Sequence, residues 1–233
     1  MIINDYSTIS KKYAASDNSG TAFLAFKHIE SLIKKYSNGI KALDYGCGSG
    51  NSSLFLKEIG LDVNGVDISK DMLNEAEIIN DINFSIIQSG ALPYDDNSYD
   101  IVFSSFVLFE IPTKNELIKI FNEIYRVLKN NGIFIAVTGS EEMYKHNWLS
   151  LDANYKENLN LKSGDVAKIL IKDVDLVVYD YFWTDADYNE IISNTKFNKL
   201  ESLLPLGEDN DGYNWIDEKK YPPYVVYVLS KNI

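Results

Sequence analysis

The chain has 233 residues, enough for one α/β domain with a substantial core, and its 45% hydrophobic and 24% charged residues are ordinary for a globular protein. No apolar run approaches the ~20 residues that span a bilayer. The N-terminus lacks the basic-then-apolar design of a secretory signal, and the single cysteine, Cys47, excludes an internal disulfide framework and fits a reducing cytoplasmic setting. Acidic residues outnumber basic ones 34 to 22, for a net charge of −12, and the basic clusters do not exceed the pairs Lys34-Lys35 and Lys219-Lys220. Nucleic acids need a basic surface to neutralise their phosphates, so the charge argues against them as partners. The sequence indicates no membrane partner and leaves the oligomeric state open.

In chain order, short apolar runs alternate with amphipathic stretches. Strands are predicted at 40–45, 62–66, 82–87, 99–104 and 133–138. Helical spacing follows at 51–59 through Leu54, Phe55 and Ile59, and Ser69 with Asp71 behind it reads as a helix N-cap. Thr113 and Glu116 form a capping-box pattern ahead of Leu117, Phe121, Ile124 and Leu128. This alternation predicts a parallel sheet covered on both faces. The rhythm changes after 140. Residues 141–160 are polar with scattered aromatics and read as a helix or long loop. Strands at 166–170 and 174–182 suggest a hairpin turning at Lys172-Asp173, and Thr184 with Asp187 caps a helix at 185–193. Two last strands fall at 199–204 and 224–229.

The end of the first strand carries the chemistry: Ala42-Leu43-Asp44-Tyr45-Gly46-Cys47-Gly48-Ser49-Gly50. Alternate glycines let the backbone turn sharply and approach a ligand, and the helix behind them offers unpaired N–H groups. A dinucleotide site would have G-x-G-x-x-G, but Asn51 stands where its third glycine belongs. Three further marks follow. They are Asp67 closing the second strand, Leu92-Pro93-Tyr94 with Ser98-Tyr99-Asp100 before the fourth, and Arg126-Val127-Leu128-Lys129 with Gly132 before the fifth. In this order they resemble the class I S-adenosylmethionine-dependent methyltransferase family. The resemblance implies a Rossmann-like α/β fold: a mostly parallel seven-stranded sheet with helices on both faces and a small cap inserted after strand five. It implies a single methyltransferase domain over 1–233, comprising an N-terminal lid and helix (1–38), a cofactor-binding core (39–140), a candidate substrate cap (141–183) and a C-terminal helix and strands (184–233).

The same resemblance implies S-adenosyl-L-methionine as cofactor and S-adenosyl-L-homocysteine as product, with no metal expected. Asp44 and the loop Gly46, Cys47, Gly48 and Gly50 would hold its amino-acid end, and Asp67 its ribose, whose two hydroxyl donors suit two carboxylate oxygens. Ile68 and Met72 would flank the adenine, and Ser89, Gly90 and Ala91 occupy the place where relatives carry an acidic contact to the adenine amine. Ser105 and Phe106 are assigned to the cofactor as well. Tyr6 and Tyr13 are similar to a paired-tyrosine lid, Tyr13 being the one assigned to the cofactor, or else pack a surface helix. Where relatives show paired histidines, this chain has Phe109 and Glu110, so Glu110 would orient a substrate or hydrogen-bond its own loop. His146 is a candidate base or a solvated loop residue. Phe109, Glu110, Trp148, Tyr155, Trp183 and Trp215 are the candidate substrate contacts, drawn from an aromatic-rich second half whose rings otherwise pack the cap. The expected activity is methyl transfer to O or N of a small molecule. The alternatives are a fold relative with other S-adenosylmethionine chemistry and a non-catalytic binding or regulatory protein.

Overall fold

The computed structural model describes residues 4–231. Its central sheet is built from β1 (Lys41–Tyr45), β2 (Asp62–Asp67), β3 (Asn83–Ile86), β4 (Tyr99–Ser105), β5 (Leu128–Gly139), β9 (Asn198–Leu203) and β10 (Tyr224–Ser230). The order across it is β3-β2-β1-β4-β5-β10-β9, with β10 antiparallel to both neighbours and the other pairs parallel. Ile133–Gly139 is buried without a break, as expected of a strand covered on both faces.

Seven helices flank the sheet among the described residues: α1 (Tyr6–Ala14), α2 (Phe23–Phe26), α3 (Ile29–Tyr36), α4 (Asn51–Glu58), α5 (Lys70–Ala76), α6 (Lys114–Val127) and α7 (Asp185–Ser193). Leu117, Ile120, Phe121, Ile124 and Val127 recur every three or four residues along α6 and form its buried stripe. With Tyr188, Ile191 and Ile192 of α7 they cover one face of the sheet. Leu24, Ile29, Leu32 and Leu56 from α2, α3 and α4 belong to the core on the other. Thr113 caps α6 by accepting from the Glu116 N–H at 3.2 Å, and Thr184 and Asp187 make a reciprocal capping box on α7. No helix among the described residues is long and apolar enough to cross a membrane.

After β5 the chain enters neither a helix nor a structureless loop. Residues 141–160 contain turns, a short 3₁₀ turn and β6 (Leu151–Asp152), which joins β7 (Val166–Ile171) and β8 (Leu176–Tyr181) in a three-stranded antiparallel sheet ordered β6-β7-β8. The turn between β7 and β8 is the 3₁₀ segment Lys172–Val174 closed by Asp175 in the left-handed region, so β8 starts two residues later than the apolar run suggests.

This topology determines where a ligand crevice can lie. From β1 the chain builds outward through β2 and β3, then crosses back to place β4 on the opposite side of β1. The strand order therefore reverses between β1 and β4, and their carboxyl ends open a crevice. Asp44 pairs in register with both Gly65 and Phe103, which brings the ends of β1, β2 and β4 level with one another.

Candidate functional site

Two adjoining cavities open at this reversal and share Tyr13, Gly46, Gly48, Ser105, Phe106 and Glu110 as a common wall. The glycine loop forms the floor. Gly46 has φ +75°, and a Cβ there would lie 2.2 Å from Val107 Cγ2, so a side chain fits neither its backbone nor its space. Gly46 and Cys47 donate to the Val66 carbonyl at 2.8 and 3.0 Å, which ties the loop to the end of β2. Gly50 N-caps α4 at φ +90° and lines neither cavity.

The first cavity runs over the end of β2. Asp67 lies on it, with one oxygen accepting from the Gly48 N–H and the other from the Ser69 N–H, both at 2.8 Å. Each oxygen keeps a further lone pair. Burial raises the Asp67 carboxyl while the three backbone N–H groups around it act in the opposite direction. Ile68 and Met72 add an apolar wall, and Ser89 faces the same space. Its two neighbours do not: the Gly90 N–H donates to the Tyr45 hydroxyl at 3.1 Å, and exposed Ala91 bridges Gln88.

The second cavity is an apolar chamber between the glycine loop and the accessory sheet, walled by Phe26, Phe109, Met143, Val178, Asp180 and Tyr224 among others. Cys47 lines it, with its thiol pushed up by burial and then by the Asp44 and Asp67 charges. Residues 16–19, which follow α1, form its outer edge and are pinned to α4 by the Asn51 side chain, which donates to the Ser16 carbonyl at 2.7 Å. Phe106, with φ +62°, projects between the cavities and stacks on Phe109 at 6.3 Å.

Helix α1 forms the roof, packed on α5 and β8. Its Tyr6 hydroxyl donates to Glu110 Oε1, and the same oxygen accepts from Asn4 Nδ2 at 3.1 Å. The Asn4 amide also pairs with the Tyr179 backbone in both directions, at 2.8 and 2.9 Å, so it binds the roof to the free edge of β8 as a further strand residue would. Tyr13 meets Tyr6 edge to face at 5.6 Å and reaches both cavities. Burial, and next the Glu110 charge, pushes both phenols up, so they stay protonated donors.

Asp44 lies beneath the loop, fully buried and on neither cavity. Its Oδ2 accepts from the Ser52 and Ser53 hydroxyls, each at 2.6 Å, while Oδ1 has no partner. Burial pushes its carboxyl up to about 6 against the pull of those hydroxyls. A raised acid pKa means that the folded state holds the proton more tightly than the unfolded chain. Its contribution to stability is therefore greatest below the unfolded pKa near 4 and is lost as pH rises through about 6. In thermal melts of ligand-free protein, Asp44→Asn should match wild type near pH 4 and gain about 1–3 kcal/mol over it by pH 7.5. A wild-type to variant difference independent of pH would contradict the protonation assigned to this carboxyl.

Four of the candidate substrate contacts lie elsewhere, three from the cap and Trp215 from the C-terminal segment. Trp148 is wholly buried with its Nε1 donating to the Met143 carbonyl at 2.7 Å. The Trp183 indole donates to the Ile111 carbonyl at 3.1 Å and joins the α6–α7 core. Tyr155 carries Lys168 over its ring at 4.3 Å, and Trp215 packs on Gly207, Phe23 and Tyr213. His146 lies outside both cavities, stacked on Tyr221 at 3.6 Å and bonded to Glu142 at 2.6 Å. Sequence reasoning passed over Phe26, Val107 and Asp180. Asp180 had a signal: it shares the inward phase of β8 with Leu176 and Val178, a place where a charge is costly.

The reversed strand order, the glycine loop at the reversal and the carboxylate closing the next strand lie within residues 43–136, which match the family model described as a methyltransferase domain. Residues 43–136 thus carry the likeness to a methyltransferase domain, and the whole described chain has the fold of solved S-adenosylmethionine-dependent methyltransferases. It is 37% identical over 103 residues to an uncharacterized methyltransferase of Synechocystis sp., an alignment covering 43% of this chain and 48% of that one. It is 31% identical over 150 residues to a demethylmenaquinone methyltransferase of Staphylococcus epidermidis, covering 58% and 59%. The chain thus spans about half to three-fifths of the length of these relatives. A solved S-adenosylmethionine-dependent methyltransferase of Clostridium acetobutylicum shares the fold, with a TM-score of 0.65 at 16% identity over 98% of each chain.

Proposed function

We propose that this protein transfers a methyl group from S-adenosyl-L-methionine to an O or N atom of a small molecule. The observation that carries the reading is the paired cavity: one arm passes over Asp67, the other runs into the chamber against the accessory sheet, and the glycine loop with Phe106 separates them. The residues present suit the cofactor. Asp67 has carboxylate lone pairs for the two ribose hydroxyls, Ile68 and Met72 an apolar face for the base, and Ser89 a hydroxyl at its edge. Along the chamber, Gly46, Cys47, Gly48 and Ser49 with Asn51 and Ser52 of α4 form the wall suited to the amino-acid end. When bound, the cofactor supplies a methyl group already activated on a sulfonium sulfur.

What remains for the protein is alignment and exclusion of water. Tyr13 roofs the junction of the two arms, Phe106 narrows it, and Glu110 holds the roof through Tyr6. The net charge of −12 supports a small-molecule acceptor over a nucleic acid, and a cytoplasmic setting is part of the same reading. Calorimetric titration with S-adenosylmethionine and S-adenosylhomocysteine tests the first half. Binding of both at one site per chain is expected, and absence of heat and of any thermal shift with either would overturn the proposal. Transfer of labelled methyl to a panel of small amines, alcohols and phenols tests the second half.

A further inference from the structure

The chamber carries charge of one sign. Among its described lining residues are Asp17, Glu110, Asp173 and Asp180, with no lysine, arginine or histidine. The two inner acids are held by neutral donors alone. Asp180 lines the chamber and is only 2% exposed; its Oδ2 accepts from the Tyr144 hydroxyl at 3.1 Å, and among the described residues its Oδ1 receives no hydrogen bond. Glu110 uses its Oε1 for Tyr6 and Asn4, and among the described residues its Oε2 has no partner. The 3₁₀ turn Leu108–Glu110 packs directly on β8, so Glu110 and Asp180 line one part of the chamber and the Glu110 charge acts on Asp180.

We propose that the acceptor is an amine, bound as its ammonium ion between Asp180 Oδ1 and Glu110 Oε2, with the rings of Phe106, Phe109 and Tyr224 around its carbon frame. The proposal rests on reading the chamber as the acceptor side of a methyltransferase, and names the acceptor class that this reading left open. Burying two carboxyls without a counter-charge is costly: burial raises both above the usual carboxylate range, with repulsion from Glu110 adding to the rise of Asp180 and repulsion from Asp67 to that of Glu110. An ammonium ion offers three donors to the two free oxygens and removes that repulsion. Among the described residues the remaining ionisable neighbours are the Tyr6, Tyr13, Tyr144, Tyr188 and Tyr224 phenols and the Asp67 carboxylate, none of which brings a positive charge. A carboxylate or phosphate placed beside these two acids would meet no cation among the described lining residues. Aromatic faces add attraction for a cation and none for an anion.

The test uses matched probes: the amine, alcohol and carboxylic acid built on benzyl, cyclohexylmethyl and n-butyl frames. Each is titrated by calorimetry and thermal shift into wild type, Asp180→Asn and Glu110→Gln, with and without saturating S-adenosylhomocysteine. On at least one frame the amine should bind about tenfold or more tightly than its alcohol, as expected of charge-assisted hydrogen bonds, with the acid weakest. Asp180→Asn, isosteric and neutral, should remove that preference while still binding S-adenosylhomocysteine. The proposal is overturned by equal binding of amine and alcohol on every frame, by absence of binding on all frames, or by an amine preference that survives both variants. It is overturned too if Asp180→Asn weakens S-adenosylhomocysteine and leaves the amines unaffected, for then the carboxyl serves the cofactor's own ammonium. Failure of wild type to bind S-adenosylhomocysteine strikes the methyltransferase reading instead, and the nucleotide-free arm still reports on the chamber.

Discussion

Asp67→Ala is expected to weaken S-adenosylhomocysteine binding by about a hundredfold or more, since hydrogen bonds to an ionised acceptor contribute roughly 1.5–3 kcal/mol each and two ribose hydroxyls lose theirs. The loss has a second component. Asp67 also receives the Gly48 and Ser69 N–H groups, so its carboxylate fixes the glycine loop to the start of α5. Alanine frees both donors and loosens the floor of the site. Asp67→Asn keeps one oxygen to accept and should fall between the two, at about tenfold. Isothermal titration measures all three. An alanine variant within about threefold of wild type would mean that the ribose is held elsewhere, because one charged hydrogen bond alone exceeds that ratio.

Trp148→Ala should destabilise the fold by about 3–5 kcal/mol, the usual cost of deleting a fully buried aromatic side chain, and lower the melting temperature by about 10 °C. Trp148 is wholly buried among core residues shared by the central sheet, the accessory sheet and α2. Its indole N–H satisfies the Met143 carbonyl, so the truncation leaves both a cavity and an unpaired acceptor. Trp148→Phe fills most of the volume and should retain about half of the stability lost. Differential scanning calorimetry distinguishes this from a role in acceptor contact, which would leave the melting temperature unchanged and alter only ligand affinity.

These two residues mark how far the sequence could be read. Asp67 is recognisable because its function depends on local arrangement: the end of a short strand, a fixed distance past a glycine loop, ahead of a helix capped by Ser69. The strands of the parallel core, the caps of α6 and α7 and the glycine loop are legible on the same ground, since periodicity, capping and turn chemistry act over a few residues. Trp148 shows the limit. An aromatic ring in the region after β5 is equally suited to lining a pocket and to supporting it, and its sequence neighbours do not distinguish the two.

Tertiary structure decided the rest. That 141–183 fold into a three-stranded sheet depends on β6 meeting β7 across an intervening loop, a pairing with no local signature. That Glu110 anchors the roof depends on Asn4 and Tyr6, more than a hundred residues away in sequence. The chamber's character depends on Asp180 arriving opposite Glu110 from the accessory sheet. Local sequence, then, determined the sheet, the loop and the carboxylate that closes β2, because backbone propensity and hydrogen bonding between near neighbours are enough to specify them. Only the fold decided which aromatics became core and which acids came to share one chamber, because burial and charge proximity belong to residues distant in the chain.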